Sequence, residues 1–162
     1  LSFSGLKTSL LGLHQQENAA TAIRALLLLK QSGIAIREDT IRESLQHVFW
    51  PGRCELWENR TDVSIRLMLD GAHNPAGAEI LSRTIRALSF NRLHLMIGIL
   101  ADKDLAAIAS RLLPMAQAVT AVVPRIDRAP DIRQFAQRLQ PFLSRNVPLH
   151  IAGSIPDGFP LA

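Results

Sequence analysis

Cysteine occurs once, at Cys54, and tyrosine not at all in the 162 residues. A lone cysteine excludes an internal disulfide and any cysteine-based metal cluster, and it fits a reducing compartment such as the cytoplasm. Aromatics make up 5% of the chain, and no Lys/Arg run is interleaved with them. The formal charge of +4 is scattered and carried mostly by arginine, so no nucleic-acid partner is expected. An anionic small molecule fits that charge better. The longest leucine-rich stretch, Ile23 to Leu29, is far too short to cross a bilayer. Arg24 interrupts it and Lys30 bounds it, so it reads as part of a buried helix, with no membrane partner expected.

Several chemical signatures are missing too. Gly5-Leu6-Lys7-Thr8 resembles the end of a phosphate-binding P-loop but lacks its spacing. No G-x-G-x-x-G follows a predicted strand, which argues against a dinucleotide fold, and no G-x-S-x-G elbow supports a serine nucleophile. No signal-peptide pattern opens the chain, which begins Leu-Ser-Phe without an initiator Met, as an internal segment of a longer protein or a chain freed of a tag would.

What is present divides near residue 48. Residues 1–13 read as a strand and a loop. His14 to Gln31 is an Ala/Leu-rich helix ending at Gly33. Thr40-Ile41-Arg42-Glu43 has capping-box form, and Ile41, Leu45 and Val48 keep helical spacing after it. Phe49-Trp50-Pro51-Gly52 breaks the pattern. Strands and helices then alternate: strands at 54–58, 65–69, 93–99, 118–123 and 147–152, and helices at 75–88, 104–113 and 131–143. Such alternation implies βαβ units, a mostly parallel sheet flanked by helices, and an α/β class. The Gly/Pro-rich tail, 153–162, ends without another element. In right-handed βαβ units the strand-to-helix loops share one edge of the sheet. Three such loops are polar: Asp70 to Asn74, Ala101 to Asp104, and Pro124 to Pro130. Together they predict one charged rim.

Three constellations carry chemistry. In His14-Gln15-x-x-Asn18-Ala19-Ala20-x-Ala22, His14 and Asn18 share a helical face. An Asn amide can read a purine edge and small alanines admit a flat ring; close helix packing through alanine accounts for the same pattern. In Trp50-Pro51-Gly52-Arg53 a rigid turn presents an arginine suited to phosphate, or places a surface arginine on a linker. In Asp70-Gly71-Ala72-His73-Asn74-Pro75 a buried strand passes into a helix capped by Asn74, with Pro75 at its first position. A turn needs the Gly, Asn and Pro; Asp70 and His73 ask for a ligand. No third ligand stands at metal-binding spacing, so no metal is assigned there.

The order H-Q-x-x-N-A-A-x-A, W-P-G-R, L-D-G-A-H-N-P and D-K-D resembles the folylpolyglutamate synthase/dihydrofolate synthase branch of the Mur ligase superfamily, from about Leu10 to about Pro130. The resemblance implies a Rossmann-like C-terminal domain over 48–162, truncated at its end, preceded by a helical remnant of a central ATPase domain over 1–47. It implies an ATP-dependent ligase that joins L-glutamate to dihydropteroate or folate through an acyl phosphate, with Mg²⁺ assisting phosphoryl transfer. Asn18 would contact adenine, Arg53 the phosphates and Asp70 the ribose, with His73 lining the same site. Lys103 and Arg125 would hold substrate or the closed domain arrangement. The family's P-loop and the metal ligands lie outside this chain. No catalytic residue is therefore assigned, and the isolated segment is expected to be inactive and open to self-association, though the full-length enzyme would be monomeric. Two other readings stand beside this one: a Mur-type peptidoglycan ligase domain, against which Trp50-Pro51 and Gly71-Ala72 lean, and a non-catalytic Rossmann-like binding or interaction module.

Overall fold

The computed structural model describes residues 4–58 and 65–158. The chain divides into two compact units, Leu1–Gly71 and Ala72–Ala162. The sequence pattern changes near residue 48, whereas the density of contacts changes after Gly71.

The first unit holds helices α1 (Leu13–Gln31) and α2 (Glu38–His47) and strands β1 (Glu55–Glu58) and β2 (Arg66–Leu69). Helix α1 forms where alanine and leucine favour it, and the chain leaves it through Gly33 at φ +92°. Only Gln15 and Ile23 of α1 are buried, while Leu28 and Leu29 are 49% and 45% exposed, so the expected buried helix is mostly a surface one. Its apolar side chains are spread around the helix, and a single packing neighbour covers only a strip of them. Helix α2 begins at Glu38, ahead of the predicted Thr40 box. Glu38 and Asp39 occupy the first turn, where acids complement the helix dipole, and Asp39 Oδ1 accepts from the Thr40 N–H. Among the described residues, 4–12 form no strand, against expectation. Their polar groups are satisfied by α2 and the residue after it: Ser9 N–H donates to Leu45 O at 3.0 Å, Ser9 Oγ to Val48 O, and Arg42 Nη1 donates to Ser4 O at 3.0 Å.

Strands β1 and β2 pair antiparallel, with Glu55 opposite Leu69 and Glu58 opposite Arg66. They form a separate two-stranded sheet, so β2 is not a strand of the parallel sheet. The predicted burial of the run 65–69 also fails: Ile65 is 67% exposed, and Leu67 and Leu69 are exposed as well. A two-stranded ribbon has at most one face to cover and lacks the second layer that buries both faces of a parallel sheet.

The second unit contains α3 (Pro75–Arg86), β3 (His94–Ile97), α4 (Leu105–Leu112), β4 (Ala118–Ala121), α5 (Ile132–Leu139), β5 (Leu149–Ile151) and the short α6 (Ile155–Gly158). The sheet is parallel in the order β3-β4-β5, built by two successive βαβ crossovers. Central β4 is the most buried strand, with Val119, Thr120 and Ala121 fully enclosed, as expected of a strand covered on both faces. Ile108, Leu113 and Leu139 complete the core. Local chemistry starts each helix. Asn74 Oδ1 accepts from Gly77 N–H, Asp104 Oδ1 from Ala107 N–H, and Asp131 Oδ1 from Arg133 and Gln134 N–H. The tail is not featureless: α6 packs through Gly158, where an added Cβ would lie 2.9 Å from Met96 Cε. Residues 159–162 of the predicted tail, like 1–3 of the predicted N-terminal strand, fall outside the described residues.

Leu139 is fully buried, so Leu139→Ala is expected to cost about 2–5 kcal/mol in urea denaturation of the chain. A second expectation concerns pH. Burial and the nearby His150, with ring centroids 6.2 Å apart, hold the His94 imidazole below its ordinary pKa, and His94 Nε2 lies 2.8 Å from Thr120 Oγ1. Above the unfolded value of about 6.5 the ring is neutral in both states and stability is insensitive to it. Below that value the unfolded chain takes a proton the folded chain refuses, so stability falls with pH and levels off once the lowered folded pKa is passed. Denaturation midpoints between pH 7.5 and 5 should show this loss, and His94→Gln should flatten it.

Candidate functional site

Two sequence motifs of the first unit are tied together. Trp50-Pro51-Gly52-Arg53 forms a tight turn in which Gly52 adopts φ +67°, a left-handed conformation that glycine enters without a Cβ penalty. Gly52 O accepts from Gly71 N–H at 2.8 Å. Asp70 Oδ2 accepts from the Cys54 N–H at 2.8 Å and from the Cys54 thiol at 3.4 Å. Cys54 is buried and adopts φ +46°, which costs a residue with a Cβ about 1 kcal/mol or more. It is thus more than the small apolar filler its type implies. The Asp70 bonds hold the backbone there, and they bring residues sixteen apart in sequence into one local structure.

Arg53 projects from this turn as an exposed side chain and makes no ion pair among the described residues. Glu55 anchors the turn from the other side. Its Oε2 accepts from Gly52 N–H at 2.8 Å and its Oε1 from Trp57 Nε1–H at 2.9 Å. The sequence motif stops at Arg53, and Glu55 was not among the predicted residues. An acid three positions after a turn glycine was the available signal.

Asp70 lies one residue before the end of the first unit, and His73, an exposed side chain, belongs to the second, just before the Asn74 cap of α3. On α1, Asn18 is exposed and its Nδ2 donates to Oε1 of buried Gln15 at 3.1 Å. Gln15, named in the motif without a role of its own, thereby orients the Asn18 amide. His14 Nδ1 is buried without a hydrogen-bond partner, alone among the described side-chain polar atoms. Ala20 and Ala22 are exposed, so the alanine face is open.

The predicted common rim is reduced to two loops. Those after β3 and β4 follow strands of the parallel sheet, at the carboxyl edge where such sheets bind ligands. The loop from Asp70 follows β2, which is in the other sheet. In the first of the two, Lys103 Nζ lies 3.1 Å from Asp102 Oδ2, with Arg128 Nη1 at 4.0 Å from the same oxygen. These cations hold the Asp102 carboxyl below the usual range, Lys103 contributing most. Lys103 therefore has a partner within its own loop. Arg125 is different. It is exposed and lines a cavity of about 280 Å³ with Val123, Pro124, Ser154, Ile155 and Asp157, in which Ser154 Oγ donates to Asp157 Oδ2 at 2.5 Å. Ser154 and Asp157 lie in the tail that sequence reading left without structure. Among the described residues no three His, Cys, Asp or Glu side chains converge to hold a metal ion, and no helix is long and apolar enough to cross a membrane.

The chain belongs to the Mur ligase family: the family described as "Mur ligase, glutamate ligase domain" matches residues 52–155. Within it, the resemblance is to folylpolyglutamate and dihydrofolate synthases. The dihydrofolate synthase/folylpolyglutamate synthase of Bacillus subtilis is 36% identical over 119 residues, which is 72% of this chain and 27% of that protein. The folylpolyglutamate synthase of Mycobacterium tuberculosis, solved with ADP and AMPPCP, superposes with a TM-score of 0.85 at 28% identity, over 99% of this chain and 35% of that one. Escherichia coli FolC in complex with DHPP and ADP gives a TM-score of 0.71 at 27% identity, over 94% of this chain and 38% of that one. The chain thus spans between a quarter and two-fifths of the length of these relatives.

Asp70→Ala removes the acceptor of the Cys54 N–H, and the expected cost is about 1–3 kcal/mol in urea denaturation, with faster exchange of the Cys54 amide. Asp70→Asn keeps an acceptor oxygen and should lose less than half as much.

Proposed function

We propose that this chain is the nucleotide-facing part of an ATP-dependent ligase that adds L-glutamate to dihydropteroate, folate or both. The similarity over 99% of the chain to a synthase solved with ADP and AMPPCP carries the reading. In this reading residues 1–47 close a central ATPase domain and 48–162 form the C-terminal domain. ATP phosphorylates the folate-side carboxylate, and the glutamate amine then displaces phosphate from the acyl phosphate to form the amide. The work takes place in a cytoplasmic enzyme.

The roles follow from the chemistry of each group. The Asn18 amide, oriented by Gln15, offers both a donor and an acceptor to a purine edge. Arg53 supplies a permanent, planar cation for phosphate oxygens, and its guanidinium is not committed to a carboxylate. Asp70 can reach a ribose hydroxyl only while also holding Cys54, so its part in binding is joined to a structural one. His73 offers an imidazole to a nucleotide, and Arg125, beside its cavity, a cation to an anionic group of the substrate. Mg²⁺ would neutralise phosphate charge during transfer. The described residues offer no three-ligand cluster for it, and its protein ligands belong to the rest of the enzyme.

The test uses the full translation product of the gene, assayed for ATP-dependent glutamate addition. A charge-assisted contact to phosphate is worth about 1.5–3 kcal/mol, so Arg53→Ala should raise KM for ATP roughly tenfold to a hundredfold. An unchanged KM would remove Arg53 from the site.

A further inference from the structure

We propose that Glu55 is a positioning residue for Arg53, fixing the backbone turn from which the guanidinium meets the nucleotide's phosphates. The inference rests on the reading of Arg53 as a phosphate ligand.

Three observations lead to it. First, Gly52 is held at both of its polar backbone atoms: its N–H by Glu55 Oε2 at 2.8 Å, and its carbonyl by Gly71 N–H at 2.8 Å. Arg53 is the next residue: the peptide unit leading into it is held at its carbonyl by Gly71, and the unit before that is held at its N–H by Glu55. Pro51 on the other side has a fixed φ and no N–H to offer. Second, each oxygen of the carboxylate takes one neutral donor, Gly52 N–H and Trp57 Nε1–H, so the side chain is pinned at both ends of its head group. A carboxylate can accept both bonds at separate oxygens, whereas an amide has one acceptor oxygen. That accounts for Glu at this position. Third, Glu55 is two residues from Arg53, yet the two form no ion pair. The nearest acid in sequence holds the glycine that precedes the arginine and leaves the guanidinium without an ion pair. An acid placed to neutralise Arg53 would compete with phosphate. Placed where it is, its negative charge is spread into two N–H groups.

A purely structural role for Glu55 in the β1–β2 hairpin makes a different prediction, and a double-mutant cycle separates the two. The proteins are the full translation product, Arg53→Ala, Glu55→Ala and the double variant, with KM for ATP and kcat measured in glutamate addition. Glu55→Ala should raise KM for ATP by about three- to tenfold, as expected for loss of a positioned contact rather than of the contact itself, with KM for glutamate unchanged. In the Arg53→Ala background it should have no further effect. Glu55→Gln, which keeps one acceptor, should restore part of the loss.

If Arg53→Ala raises KM while Glu55→Ala does not, or if the two effects multiply, the positioning role is overturned and the phosphate role of Arg53 stands. If Arg53→Ala leaves KM unchanged, the phosphate reading itself fails and takes this inference with it. Should Glu55→Ala not fold, Trp57→Phe serves: it keeps a ring at an exposed position and removes one of the carboxylate's two donors. It should raise KM for ATP by about twofold, and an unchanged value would overturn the proposal.

Discussion

The Asp70 carboxylate is bound from within the protein, by the Cys54 amide and thiol, and the joining of the turns that flank β1 and β2 rests on that bond. Cys54 has a backbone conformation that an L-residue adopts reluctantly. The charged acceptor across from it offsets that cost, because a hydrogen bond to an ionised group is about twice as strong as a neutral one. With Cys54 held, the antiparallel register between Glu55 and Leu69 can begin, and Gly71 N–H reaches Gly52 O. The two turns that carry Arg53 and Asp70 are therefore one piece of structure. An Asp70 substitution thus acts on the Cys54 backbone as well as on the turn that carries Asp70.

The second unit obtains its order differently. A fully buried central strand, β4, is flanked by two half-exposed strands, and helices return the chain across the sheet. Each long helix starts on a side-chain oxygen that precedes it in sequence: Asn74, Asp104 or Asp131. The loops after β3 and β4 run into these caps. Arg125 and the Ser154–Asp157 pair border a cavity there because α6 closes back on Met96 and Val122 through Gly158.

What could be read from the sequence was the local part of this physics. Caps depend on residues within four positions of each other, so Asn74 with Pro75 marked the start of α3, and the ranges 104–113 and 131–143 located α4 and α5, whose Asp104 and Asp131 caps went unread. The alternation of strands and helices after residue 90 defined the parallel sheet for the same reason. The partner of β2 was not legible, because a strand's pairing is decided far away in sequence. The run 65–69 is equally apolar whether it joins a buried parallel sheet or an exposed ribbon. Exposure of α1 was hidden likewise, since composition reports apolar residues but not which of them find a neighbour. For the site, the motif residues Asn18, Arg53 and Asp70 stood out by type and spacing, whereas the groups that orient them, Gln15, Glu55 and Cys54, make bonds that no motif records.

The net charge is only +4, yet some arginines stand without a carboxylate partner among the described residues. Many of its acids are occupied at home. Glu79 is held between Arg83 and Arg111, which keep its carboxyl below the ordinary range, with Arg83 contributing most. Asp102 serves Lys103 and Arg128, Asp104 and Asp131 cap helices, and Asp157 accepts from Ser154. Glu55 and Asp70 accept from backbone amides. Arg53 and Arg125 make no such ion pairs among the described residues. An acid fixed on N–H groups is a poor competitor for a nearby guanidinium, because moving to it would leave those donors unsatisfied. The guanidinium of Arg53 is left without an ion pair among the described residues less by an excess of positive charge than by the commitment of negative charge elsewhere, and Glu55, two residues away, is the closest instance.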